Sequence, residues 1–594
     1  MYKLESSSHF RRKSARFVEL MVEVNDERND DHMGFYKEVF DFSNRNVLES
    51  QFVELLNEEI ISVEQLETWL KKQSALYDGI EEGISGHYID FQCHSNSKEA
   101  KEKFEYDQQQ VEPLVKKYVS LLDEKFLSTE ARHQLNEEYY QLFIKSKQNS
   151  KELFREENIN LEVKEDELAT SYFEITGSQT VQWNGEELTL SQLSPYLQDS
   201  NRDIRKQALT LMAESFIEKE NELQDIMDQL IAIRQQKAEN AGLDNYRDYM
   251  FKKYERFDYT PADCKRLAEA IQTHVKPLKE KLQRKHQSEL AVDTYRPWDR
   301  AGVRVGQTPL KPFENTDELV EKSATIFNNL DPRFAELLTT MNNKQMLDLN
   351  SRKGKAPGGF CSPLPVSELS FIFMNASRTH DDMITLLHEM GHCIHNDLKK
   401  ELPLNDYRET PMESSELASM SMELLTMDQW QIFYQNEQDL KRAKIEQLKG
   451  IIEFLPQGMV IDQFQHWLYE NPTHTAEQRN EKYRELMHSI DSETVDWTGY
   501  EKWAKTNWLK VLHIFEVPFY YIEYVIAQLG AVQLYKQYRE NPDEALTNYK
   551  HALSLGASKS LPEIYEAAGI KFDFSEEMIK ELMIFLEGEL DKLV

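Results

Sequence analysis

The stretch THDDMITLLHEMGHCIHNDL, residues 379–398, decides how the chain is read. Its apolar residues Met383, Leu387, Met390 and Ile394 recur every three or four positions, so the spacing predicts one half-buried helix. Thr379 fits the N-cap, and Asp381 and Asp382 fall in the first turn, where carboxylates favour the positive end of the helix dipole. His388, Glu389 and His392 form an HExxH pattern. On a helix, two imidazoles four residues apart share one face and can bind a single Zn²⁺, and the glutamate between them can reach a water on that ion. Left bare on a half-buried face, both rings would be desolvated without compensation.

A hydrolytic zinc site needs a third protein ligand and one open position. The metzincin arrangement would place glycine at 395 and histidine at 398, but the chain has His395 and Leu398. His395 lies about 10 Å along the helix axis from His388, too far to share one tetrahedral ion, and reads as a packing or supporting residue. The segment YRETPMESSELASMSMELLTM, residues 407–427, offers the ligand instead. Thr410, Pro411 and Glu413 read as a capping box with proline at the first helical position, which commits Glu413 to the cap. One turn further in, Glu416 is assigned as third ligand, with Glu409 or Glu413 next in line. Glu423, seven residues on and beside Met420 and Leu424, would be costly to bury without a cation or donor, and is expected to orient a ligand histidine.

Outward from this core, the first 160 residues carry helical periodicity, as in VEPLVKKYVSLLDEKFL. SQTVQWNGEELTL, residues 178–190, alternates around Asn184-Gly185 and predicts a hairpin. From Asp203 one long amphipathic helix is expected, stopping at Gly242. KGKAPGGFCSPLP, residues 353–365, reads as a loop, and SELSFIFMN, residues 367–375, as a strand whose free edge could pair with an extended peptide along Ser370 to Met374. The remainder, from 411 to 594, is again helical. The expected organisation is an N-terminal helical region over 1–200, with the hairpin near its end, and a catalytic region over 201–594.

Asp and Glu number 104 against 70 Lys and Arg, a formal charge of -34 that repels phosphate backbones and anionic lipid, so neither nucleic acid nor a membrane is an expected partner. Four scattered cysteines without a CxxC argue against a disulfide scaffold or a cysteine-based zinc site. The opening MYKLESSSHFRRKSARF has no signal-like apolar run, and the expected location is cytoplasmic.

PGGF at 357–360, SFIFMNASRTHDDMITLLHEMGHCIH at 370–395 and the following P-x-E-x-x-E-x-A-S-M-S-M-E run resemble the oligoendopeptidase F branch of the thimet-oligopeptidase superfamily of zinc metallopeptidases. NRDIRKQAL at 201–209 and AENAGLDNYRDYM at 238–250 are similar to the same family. The resemblance implies a mainly α, two-lobed molecule with a deep substrate channel and a small β-sheet beside the zinc helix. It implies one Zn²⁺ per chain on His388, His392 and Glu416, oligopeptide substrates, and a monomer or small homo-oligomer. It also implies a substrate-positioning histidine and tyrosines within HIFEVPFYYIEYVIAQLG, residues 513–530: His513, with Tyr521 and Tyr524, Tyr520 being an alternative to Tyr521. The expected reaction is hydrolysis of internal peptide bonds with Glu389 as general base and His513 with Tyr521 or Tyr524 stabilising the oxyanion. The competing readings are a glutamate-ligand zinc aminopeptidase and a helical protein that binds peptides without cleaving them.

Overall fold

The computed structural model describes residues 39–593. The opening stretch MYKLESSSHFRRKSARF lies outside them. Among the described residues helices dominate, and no helix is long and apolar enough to cross a membrane.

Two hydrophobic cores account for the lobes. The smaller gathers Phe52, Trp69, Leu122 and Phe143 from the N-terminal helices, and it also takes in Leu404 and Tyr407 from the segment following the HExxH helix. The larger core runs from Ile89 to the C-terminal helix and encloses the HExxH helix. Polar contacts reinforce the junction: Ser74 Oγ accepts from the Asn405 amide at 3.1 Å, and Arg408 pairs with Asp78 at 2.7 Å. The long helix Val63–Cys93 therefore touches both the N-terminal core and the segment below the site.

The hairpin forms as expected, with strands β1 (Thr180–Trp183) and β2 (Glu186–Thr189) in antiparallel register. Asn184 and Gly185 take φ of 52° and 89°, the left-handed pair that a two-residue turn of this kind requires. The expected continuous helix after it is instead two, Arg202–Glu218 and Glu220–Asn240, broken at Lys219. The first buries Arg205 and Ala208, with Arg205 bound to Asp299 at 2.8 Å; the second buries Leu223, Met227, Leu230 and Ile231 in the large core. One helical phase cannot serve both surfaces, so the chain resets between them. Its end at Gly242, with φ of 78°, is as expected.

The breaker-rich segment before the HExxH helix departs further from expectation. Residues read as loop form β4 (Phe360–Leu364), which pairs antiparallel with β5 (Leu369–Ala376), while β3 (Leu347–Asn350) runs parallel to β5 on its other side. The order β3-β5-β4 puts Ser370 to Met374 in the central strand, so its backbone is already paired and is not a free edge for a peptide. The near-continuous burial of Ser370, Phe371, Ile372, Phe373 and Met374 is what a central strand covered on both faces shows. The free edge belongs to β4, where Pro363 is tolerated because an outer strand needs hydrogen bonds on one side only. Lys355, buried, clips the sheet by donating to the Asn350 and Met374 carbonyls at 3.0 and 2.6 Å.

Candidate metal centre

The helix carrying the motif spans His380–Lys399 and starts with the expected N-cap: Asp382 N donates to Thr379 Oγ1 at 3.2 Å, and Thr379 N to Asp382 Oδ2 at 2.8 Å. It packs against a second helix, Met412–Leu425, which is buried along nearly its whole length. Gly391 makes the approach possible. A Cβ there would stand 2.5 Å from Ser419 Cα and 2.7 Å from the Ala418 carbonyl, so any side chain would push the two helices apart. The glycine inside the HExxH pattern is thus what lets a carboxylate from the neighbouring helix reach the two histidines.

His388 Nε2 lies 3.4 Å and His392 Nε2 3.7 Å from Glu416 Oε2, and one ligand atom from each residue falls within 4.8 Å of the others. Donors bound at about 2.0–2.1 Å to one tetrahedral ion are roughly 3.3 Å apart, so the trio fits zinc with little adjustment. The donor chemistry fits as well: two imidazoles and one carboxylate leave a fourth position open.

Each donor is held from behind. His388 Nδ1 is 2.7 Å from Glu423 Oε1, a carboxylate that favours a proton on Nδ1 and orients the ring with Nε2 toward the site. Gln447 braces Glu423 in turn by donating to its Oε2 at 2.7 Å. Glu416 accepts from Ser419 Oγ at 2.9 Å and from the Tyr520 hydroxyl at 2.8 Å. Burial pushes His392 down to about 4 and Glu389 up to about 7. Against the pull of burial, His392 and His388 hold Glu416 down at about 2, and Glu416 and Glu423 hold His388 well above the ordinary imidazole range.

Glu413 is not a cap. The helix begins at Met412 with no side-chain capping bond, and the buried Glu413 carboxylate accepts from the Tyr259 hydroxyl at 2.5 Å. Tyr259 stands on a segment remote in sequence, so a local pattern could not reveal the bond. Lys399 reaches Thr410 Oγ1 at 3.4 Å instead of a cap forming there. His395 is buried, and burial lowers its basicity.

The centre forms the floor of a cavity of about 1070 Å³ that runs up to N-terminal residues such as Tyr77, Asp123 and Lys147. Glu389 lines it together with Phe360, Cys361 and Pro363, so the outer strand β4 borders the cavity that holds the donors. Opposite, Tyr520 and Tyr524 reach the cavity wall. His513 Nε2 is 3.3 Å from the Tyr524 hydroxyl, whereas Tyr521 meets His513 edge-on at 5.1 Å and packs on Phe454. Phe519, just before these tyrosines, adopts φ of 67° and is held by Gln465, which accepts from its amide at 2.7 Å. Sequence reasoning missed Gly391, Gln447 and Ser419; of these only Gly391, inside the motif, carried a signal.

Residues 195–584 match the family model described as peptidase family M3, and residues 35–154 match that of the peptidase M3 N-terminal domain. The chain belongs to peptidase family M3. Within it the likeness is to the oligoendopeptidase F branch. An oligoendopeptidase F homolog of Lactococcus lactis subsp. lactis is 22% identical over 421 residues, covering 69% of this chain and 67% of the relative. The chromosomal oligoendopeptidase F of Lactococcus lactis subsp. cremoris is 23% identical over 48% of each chain. Among solved structures, PZ peptidase A with an inhibitor superposes with a TM-score of 0.88 at 26% identity, covering 92% of this chain and 97% of that one.

Proposed function

We propose that the protein is a zinc-dependent endopeptidase that cleaves internal bonds of short oligopeptides. The observation that carries this reading is the convergence of His388, His392 and Glu416 on one point of a cavity floor, with Glu389 beside them. The names of the relatives, oligoendopeptidases and an oligopeptidase, support the substrate class. The cavity supports it too, because its lining runs from the three donors to residues of the N-terminal helices and gives an extended segment room beside them.

His388, His392 and Glu416 would hold the ion. A zinc ion bound there supplies Lewis acidity toward the scissile carbonyl and acidifies a bound water. Glu389, whose burial raises its proton affinity toward neutrality, takes a proton from the attacking water as the oxygen–carbon bond forms. It returns that proton to the amide nitrogen as the carbon–nitrogen bond breaks. Tyr524, aligned by His513, donates to the oxyanion on the former carbonyl, while Tyr520 keeps Glu416 oriented. A substrate lying extended beside β4 would be held mainly through its backbone, which gives broad tolerance of side chains.

The test is cleavage of an internally quenched peptide with blocked termini. Chelation should abolish turnover and added zinc restore it, and Glu416→Ala should lower zinc affinity at least tenfold. Cleavage that persists after metal removal, or that requires a free terminal amine, overturns the endopeptidase reading.

A further inference from the structure

A second set of ligand-type side chains meets in the interior, apart from the first. Cys264 lies on the helix Pro261–His274, and Asp462 and His466 stand one turn apart on the long helix Glu437–Glu470. One ligand atom from each lies within 4.8 Å of the other two. All three are buried: Asp462 is 0% exposed, Cys264 1% and His466 6%.

Their polar atoms are under-used. Asp462 Oδ2 accepts from Gln463 at 2.9 Å and sits 3.4 Å from His466 Nε2, but Asp462 Oδ1 and His466 Nε2 have no hydrogen-bond partner. Among the described residues Asp462 forms no ion pair with a lysine or arginine. Arg256, whose charge bears on Cys264, pairs with Glu523 through Nη2 at 2.6 Å, while its Nε and Nη1 have no hydrogen-bond partner among the described residues. A carboxylate removed from water without a cation is costly, and an unpaired imidazole nitrogen beside it adds to the cost. A divalent ion offsets both.

We propose that Cys264, Asp462 and His466 form a structural site for one divalent cation of the zinc class. Thiolate, imidazole and carboxylate are the donors that zinc accepts. The second oxygen of Asp462, or a water, would complete four-coordination. Binding releases the Cys264 thiol proton to solvent, so thiolate and carboxylate together balance the ion's charge.

The surroundings say what the ion would do. The His466 ring packs against Phe251 and Phe519 at 5.9 and 5.4 Å, and the neighbouring Gln465 holds the Phe519 amide. Phe519 leads directly into Tyr520, whose hydroxyl bonds Glu416. An ion joining the two helices would therefore brace the underside of the turn that presents the tyrosines. With every donor buried, its part is to hold structure.

The proposal does not rest on the peptidase reading, and its test removes the first site. His388→Ala/His392→Ala protein, produced in zinc-supplemented medium, should retain about one equivalent of zinc by elemental analysis, and adding Cys264→Ser should remove it. Cobalt-loaded His388→Ala/His392→Ala protein should show a near-ultraviolet thiolate charge-transfer band that Cys264→Ser abolishes. The band itself needs no substitution at Cys264, so a variant that fails to fold leaves the test intact. His388→Ala/His392→Ala protein that retains no zinc and shows no band after cobalt loading overturns the proposal. Unchanged metal content after Cys264→Ser overturns it as well.

Discussion

Where the two ligand-bearing helices meet, regular helix geometry and one glycine contact align three donors. Where the chain turns from His513 to Tyr524, position depends on Phe519 at φ of 67° and on a bond from the distant Gln465. Both regions face the same cavity, yet they are specified differently. The floor follows from local periodicity, with i, i+4 spacing on one helix and a carboxylate on its neighbour. The wall follows from contacts between segments far apart in sequence. Damage to the floor should therefore act on the metal and on proton transfer, and damage to the wall at Tyr524 on turnover alone.

The largest effect is expected on the floor. Glu389→Gln keeps the shape of the side chain but removes the proposed base, and turnover should fall by about 10²–10⁴. Zinc content should stay at the wild-type level, because Glu389 is not one of the three converging donors. Steady-state rates beside elemental analysis check both halves. Turnover within threefold of wild type would take the proton-transfer role away from this residue.

The wall supplies the next effect and separates its tyrosines. Tyr524 lines the cavity and meets His513, while Tyr521 packs on Phe454. Loss of an oxyanion donor typically costs about 3 kcal/mol, so Tyr524→Phe should lower kcat roughly 10²-fold with little change in KM. Tyr521→Phe should leave kcat within a few-fold. The opposite ranking would mean that the turn rearranges when substrate is bound.

This contrast also marks what could be read without coordinates. The HExxH helix and its cap, the hairpin turn at Asn184-Gly185 and the stop at Gly242 lie in local patterns whose physics is complete within a few residues. The expected proximity of Glu416 and Glu423 to the histidines followed from burying carboxylates on an apolar helix, where only a cation or a donor makes them tolerable. Three things failed for a common reason. The break at Lys219, the pairing of Glu413 with Tyr259 and the central place of β5 are each set by a distant partner. β4 was hidden twice over, since its glycine and proline neighbours signal a loop while its position at the sheet edge tolerates them.

Gly391→Ala tests whether the closeness of the two helices matters as much as the identity of the ligands. The added methyl would overlap the backbone at Ser419 and Ala418, which cannot swing aside as a flexible side chain could. Overpacking of this kind costs about 1–3 kcal/mol. Because relief requires moving the helix that bears Glu416, zinc affinity should drop roughly tenfold alongside stability, a range set by disturbed support of a metal ligand. Thermal unfolding with zinc titration would detect both. A stability loss with unchanged affinity would show that the helices can part without shifting the carboxylate.

The smallest effect is expected furthest from the three donors, at Gln447. Its amide donates to Glu423 Oε2, and Glu423 Oε1 fixes the His388 ring, so Gln447 acts on the centre through two intermediaries. Gln447→Leu removes that bond but leaves the Glu423 carboxylate beside His388. Glu423→Ala removes the acceptor outright, so His388 loses its partner and the ring is no longer oriented. Competition with a chelator should show zinc affinity reduced about 10–100-fold in Glu423→Ala and only a few-fold in Gln447→Leu. If the two losses are equal, Glu423 is held by Gln447 alone, and the floor depends on a distant side chain as the wall does.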